Sequence, residues 1–220
     1  MAGWRHLYHI AAMACLTGVL AIAVPASGPA SAAKRQVAEK AAKAPAADMM
    51  VTGSLTTQPI GHYRFCKANP RECLIRPDDS GPATLTPKLW KTVSSVNVRV
   101  NAAIQPMNDF DIYGEDEVWA YPDAAGDCED YVLLKRRFLN NAGISLANLL
   151  ITVVRKPDGE GHAVLTLRTD KGDYVLDNLT DSVKLWDTTG YRYLKRQAAD
   201  DTGRWVSIRS GSAVSVGSVD

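Results

Sequence analysis

Between Leu149 and Asp181 the chain carries three short runs rich in β-branched and aromatic residues: LLITVVRK, GHAVLTLRTD and GDYVLDNLTD. Turns built on Asp158-Gly159 and Lys171-Gly172 separate them, and connections this short join antiparallel neighbours, because a parallel crossover needs a dozen residues or more. A later run, GRWVSIRS, can add another strand. Helical patterns come before these strands. Over Thr86 to Gln105, Pro87 sits where a helix can begin, and Leu89, Val93, Val96 and Val100 recur at helical spacing. The asparagines of this helix, Asn97 and Asn101, are expected on its solvated side. Residues 128–139, CEDYVLLKRRFL, form a second helix with Asp127 as N-cap, acids in the first turn and Asn141 to Gly143 at its end. Helices first and consecutive antiparallel strands afterwards predict an α+β domain.

With 220 residues and 46% hydrophobic content, the chain suffices for one domain with a real core. Its first 32 residues read as a secretory signal: Arg5 gives a basic start, Ile10 to Val24 an apolar stretch, and Ala30-Ser31-Ala32 a small-residue cleavage site. The apolar run is short for a bilayer span, and Pro25 ends it, so the mature chain is not expected to be membrane-embedded. Loss of Arg5 takes the formal net charge from +1 to 0, which leaves no bulk pull toward nucleic acid or an anionic membrane. Residues 33–57, rich in Ala and Lys, read as a flexible leader; 58–210 as the folded domain; 211–220 as a tail. The segment PIGHYRFCKANPRECLIRPDDSGP is dense in turn formers and reads as ordered but irregular. Export implies an oxidising compartment, where Cys66 and Cys73 are expected to pair. A metal site of His62, Cys66 and Cys73 is the competing reading, but three ligands at this spacing match no common zinc pattern.

Cys128 is then the odd thiol. It opens a helix, where free amide hydrogens and the helix dipole favour an anion. A nucleophilic thiol needs a base, and only His62 and His162 lie beyond the signal. If Thr169 to Gly172 form the hairpin loop, Arg168 pairs with Asp173 and His162 with Leu179. Asp177 then becomes a diagonal neighbour of His162 on the same face. Cys128, His162 and Asp177 can therefore act as nucleophile, base and orienting acid. The plain alternative is a core histidine and an aspartate capping a turn. Against the thiol stand its neighbours: GDCEDY places Asp127, Glu129 and Asp130 around it, and negative charge opposes ionisation of a thiol.

GDCEDY followed by GHAVL and YVLDN, with FCKANPREC and Val118-Trp119 upstream, resembles the bacterial transglutaminase-like cysteine peptidases over nearly the whole mature chain. The resemblance implies a papain/transglutaminase-like fold, with a catalytic helix packed on an antiparallel sheet. It also implies that Cys128 is the nucleophile, His162 the base and Asp177 its orienter. The best-understood relatives are periplasmic, calcium-dependent proteases that clip surface adhesins. The implied setting is thus the periplasm or exterior, with a cell-envelope protein or peptide as substrate and an inner-membrane receptor as a possible regulator. By the same resemblance Asp127, Glu129 and Asp130 are metal ligands. A bound cation would cancel their charge, and calcium, which takes six to eight oxygens, suits an acid-rich segment. The loop Asp109 to Glu117 can supply further ligands. The alternative for the three acids is helix capping. Two other functions stay open: a transglutaminase or amidase using the same triad, and a non-catalytic calcium-binding module. Trp119 and Trp186 read as core aromatics, with Trp119 near enough to Cys128 to line a groove.

Overall fold

In the computed structural model the described residues are 49–209. The signal of residues 1–32, the leader up to residue 48 and the tail 211–220 lie outside them. Seven strands form one antiparallel sheet in the order β1-β9-β8-β4-β5-β6-β7. They are β1 (Thr52–Thr56), β4 (Leu149–Arg155), β5 (Gly161–Thr169), β6 (Gly172–Asp177), β7 (Thr180–Leu185), β8 (Arg192–Ala198) and β9 (Asp201–Ile208). A short parallel pair, β2 (Gln105–Pro106) with β3 (Ala125–Gly126), stands apart from it. The helices are α1 (Ile60–Ala68), α2 (Pro70–Cys73), α3 (Pro87–Ala103), α4 (Asp109–Tyr113) and α5 (Cys128–Asn141).

The α+β class follows from how the strands divide their side chains. Ile151, Val153, Ala163, Leu165 and Leu167 join the core beneath α3 and α5, with Val93, Val100, Leu133 and Leu139. Val154, Val164 and Val175, out of phase with these, join Met50, Tyr193 and Ile208 in a second cluster. Period-2 alternation puts the two sets on opposite faces. Both faces of β5 are therefore covered, and its apolar run is nearly continuous. α3 begins as expected, with Pro87 in the first turn and the Thr86 hydroxyl accepting from the Leu89 amide at 3.1 Å. α5 ends at a left-handed Gly143 (φ 91°), a conformation that a β-carbon disfavours.

Four expectations need correction. The leader does not run to residue 57: Met50 is buried and its amide donates to Asp173 at 2.9 Å, and β1 pairs with β9. Most β1 side chains face outward, so the segment lacks the alternation that would announce a strand. The turn-rich segment around the disulfide is largely helical, as α1 and α2. Pro70 there starts a helix instead of breaking one. GDYVLDNLTD is not one strand: the chain folds back at Asn178-Leu179, and Asp177 pairs with Thr180. Finally, Asn97 is fully buried. Cys66 and Cys73 are joined, with Cα atoms 5.5 Å apart, as expected.

Candidate active site

Cys128 is the first residue of α5, and the route of the chain into that helix sets its place. β3 runs beneath the first turn so closely that a β-carbon on Gly126 would lie 2.8 Å from that of Asp130; only glycine fits there. Asp127 holds the N-cap position in extended conformation, but its side chain makes no capping hydrogen bond. The Cys128 thiol donates to Glu129 Oε2 at 3.0 Å and accepts from the Ala163 amide at 3.4 Å. It opens onto a cleft of about 680 Å³ that His162, Trp119, Asp127 and Lys195 also line. Cys128 is the one free thiol among the described residues. Burial, then the Glu129 carboxylate, pushes its pKa well above the ordinary value.

The β5–β6 hairpin has the register that its turn predicts. Arg168 pairs with Asp173, Thr169 with Gly172 and Leu165 with Leu176. The pairing stops before His162, because β6 ends at Asp177, yet the two side chains meet: His162 Nε2 lies 2.9 Å from Asp177 Oδ1. Asp177 is saturated by further donors, the Leu179 amide at 3.0 Å and the Tyr191 hydroxyl at 2.6 Å. Burial opposes its ionisation, but the hydrogen bonds from His162 and Tyr191 outweigh that and lower its pKa. An ionised Asp177 fixes the proton of a neutral His162 on Nε2 and leaves Nδ1 as the basic nitrogen. Among the described residues no hydrogen bond joins Cys128 to His162; the thiol is held by Glu129 instead.

The acids divide into two overlapping groups. Carboxylate oxygens of Asp109, Asp127 and Asp130 all lie within 4.8 Å of one another, and a second group joins Asp127, Glu129 and the Cys128 sulfur. Asp109 Oδ2 accepts from the Val118 amide at 2.6 Å and Asp130 Oδ1 from the Ala120 amide at 2.8 Å. Asp109 Oδ1, Asp127 Oδ1 and Asp130 Oδ2 are buried with no partner among the described residues. Burial raises the pKa of all three, and also of Glu129; Asp130 reaches about 7. Buried oxygens that spend nothing on capping and repel one another are a hard-donor set, which fits calcium. Asp109 is the ligand candidate that the GDCEDY motif alone does not reach.

Other residues settle into plainer places. His62 is fully buried beside the disulfide, accepts from the Trp205 indole at 3.2 Å and has its pKa lowered to about 4 by burial and then by Arg136; it is a neutral core histidine. Trp119 packs edge-on against His62 with ring centroids 5.3 Å apart while lining the cleft, so both readings of it hold. Trp186 packs on Tyr193. Sequence reasoning missed the two asparagines of α3. Asn101 Nδ2 donates to the Asp177 carbonyl at 3.0 Å and to the Thr180 carbonyl at 3.1 Å; Asn97 Nδ2 donates to the carbonyls of Thr180 and Asp181. Together they clamp the turn that follows Asp177. Their i, i+4 spacing on a helix was the only available signal.

A family model described as bacterial transglutaminase-like cysteine proteinase, BTLCP, matches residues 52–213. The chain belongs to that family and is a transglutaminase-like cysteine peptidase by membership. Among solved structures it is similar to Legionella pneumophila LapG. For the calcium-bound form the identity is 25%, over 61% of this chain and 77% of that one, with a TM-score of 0.48. For the EGTA-treated form the identity is 23%, over 71% and 82%, with a TM-score of 0.48. No curated protein matches the chain.

Proposed function

We propose that the protein hydrolyses a peptide bond of a cell-envelope polypeptide through Cys128, His162 and Asp177. The observation that carries this reading is the 2.9 Å contact of His162, which lines the cleft that holds the free thiol, with a buried, ionised Asp177 behind it. His162 Nδ1 takes the proton of Cys128 Sγ as the sulfur attacks the substrate carbonyl. It then delivers that proton to the leaving amine, and a thioester remains. Water, deprotonated by the same nitrogen, releases the acid product and restores the thiol. Asp177 holds the ring and stabilises the imidazolium, and the clamp from Asn101 and the Tyr191 hydroxyl hold Asp177. The Cys128 amide at the helix start is the candidate oxyanion donor.

Asp109, Asp127 and Asp130, with Glu129 adjoining, would hold a calcium ion, whose charge would offset the carboxylates that now oppose ionisation of the thiol. The Cys66–Cys73 disulfide supports an oxidising compartment. Among the described residues no helix is long and apolar enough to cross a membrane. A surface adhesin as substrate and an inner-membrane receptor as regulator rest on the family resemblance alone. The test incubates the purified protein with its own cell-envelope proteome, with calcium or with EGTA, and maps new N-termini. New termini that appear only with calcium, and not with Cys128→Ala or His162→Ala, are expected. Undiminished cleavage by the His162 variant would overturn the mechanism, and amine incorporation without new termini would replace hydrolysis by transamidation.

A further inference from the structure

Along the C-terminal half of α5 lies another cavity, of about 350 Å³, which shares no lining residue with the cleft. Arg137 is nine residues past Cys128, or about 13 Å along the helix at 1.5 Å per residue. The lining includes Arg71, Arg136 and Arg137 against a single acid, Glu72. Three positive charges less one leave +2. Arg136 forms the inner wall. It is only 4% exposed, its Nε donates to the Leu149 carbonyl at 3.1 Å, and its Nη2 is buried with no partner among the described residues. Glu72 acts on it only through its charge and makes no hydrogen bond to it: that carboxylate lies 3.6 Å from Arg137, whose guanidinium sits 3.1 Å over the Tyr121 ring. Arg71 is exposed at the rim. A guanidinium kept for structure alone normally has its buried N–H groups satisfied. One whose Nη2 is left unpartnered beside two more arginines is what planar or tetrahedral oxyanions are recognised by.

We propose that this cavity binds a doubly charged oxyanion of the phosphate class, with Arg136 as the buried donor and Arg71 and Arg137 closing over it. A single carboxylate would leave one positive charge uncompensated, whereas a phosphate dianion matches the +2 of the lining. The same chemistry can come from free phosphate or from the headgroup of an anionic phospholipid. The site stands apart from the peptidase reading, since none of its residues touches the triad.

The test titrates the full-length protein with inorganic phosphate at constant ionic strength, by calorimetry and by thermal shift, with acetate as the control anion. Saturable one-to-one binding is expected, together with a phosphate-dependent rise in melting temperature. Both should weaken at least tenfold in the Arg71→Gln/Arg137→Gln double variant. That variant changes only exposed or half-exposed side chains and so avoids the buried bond of Arg136 to Leu149; Arg136→Met is the second variant, expected to abolish binding where it folds. Lys195→Gln, in the cleft, should leave binding unchanged. Co-sedimentation with phosphatidylcholine vesicles, with and without phosphatidic acid, separates the sources: capture only by the acidic vesicles, lost in the double variant, assigns the headgroup. No saturable binding in either arm, equal binding of acetate, or undiminished binding by the double variant overturns the proposal.

Discussion

In calcium-free buffer, rising pH should weaken this fold, and Asp130 is the residue through which to measure it. A carboxyl whose folded pKa stands above its unfolded value binds its proton more tightly in the folded state, so stability falls as pH rises between the two values. Burial holds Asp130 at about 7 against an ordinary 3.8. At about 1.4 kcal/mol per pKa unit, that difference is worth about 4 kcal/mol. Roughly two thirds of it falls between pH 5 and 8. Halving for solvent screening beside an open cleft leaves about 1–1.5 kcal/mol, or about 3–5 °C in melting temperature for a chain of this size. Asp130→Asn keeps an oxygen for the Ala120 amide but never ionises. Its difference from the wild type reports this group together with its repulsion of Asp127 and Asp109, because His62, lowered to about 4, and Lys135, lowered to about 7, titrate alike in both proteins. The assay is thermal unfolding of both in EGTA at pH 5 and 8. The variant should gain about 3–5 °C on the wild type over that interval, and the order should invert in millimolar calcium because the variant lacks a ligand charge. A gap that stays constant or narrows with pH would refute the placement of buried, mutually repelling carboxylates.

Further changes probe the proposed triad and its supports. Asp177→Asn should cut the rate of peptide hydrolysis by about 10²- to 10⁴-fold, because the amide can hold His162 in the wrong tautomer; the mutant's melting temperature should show an intact fold. Asn101→Ala removes donors to the carbonyls of Asp177 and Thr180 and should cost about 1–2 kcal/mol, together with a lower kcat. A loss of stability with unchanged kcat would leave Asn101 a purely structural clamp. In Gly61→Ala the new methyl would lie 2.3 Å from Trp119 Cδ1 and 2.9 Å from the Glu117 carbonyl. Overpacking of about 1–3 kcal/mol should follow, with altered alkylation of Cys128, and an unchanged melting temperature would argue against that contact. Iodoacetamide treatment of the oxidised protein should label Cys128 and leave Cys66 and Cys73 untouched, as mass spectrometry can show.

The parts of this molecule that were legible in its sequence are those decided by local chemistry. A two-residue turn fixes hairpin register, so the pairing of Arg168 with Asp173 followed from counting. Period 3.6 and a Thr-Pro start announced α3. The meeting of His162 and Asp177 came out right for a reason only partly correct: the diagonal argument assumed that β6 runs on, whereas the chain turns back at Asn178 and the approach is held by Asn101 and Tyr191 from outside the hairpin. What stayed hidden depends on partners distant in the chain. β1 has no apolar face to betray it, because β9 supplies its order through backbone bonds. Asn97 and Asn101 look like solvated polar residues until β7 is laid across them. Asp109 looks like one acid among five until α4 and the Val118 amide turn it toward Asp127 and Asp130. The acids beside Cys128 illustrate the same limit in one motif. Adjacent residues on a helix diverge by about 100°, so Glu129 and Asp130 cannot serve one point equally, and the structure turns Glu129 to the sulfur and Asp130 to the aspartates. That split gives the two carboxylates different surroundings: Asp130 sits with the other buried aspartates, and Glu129 accepts from the thiol and, after burial, is the largest influence opposing its ionisation.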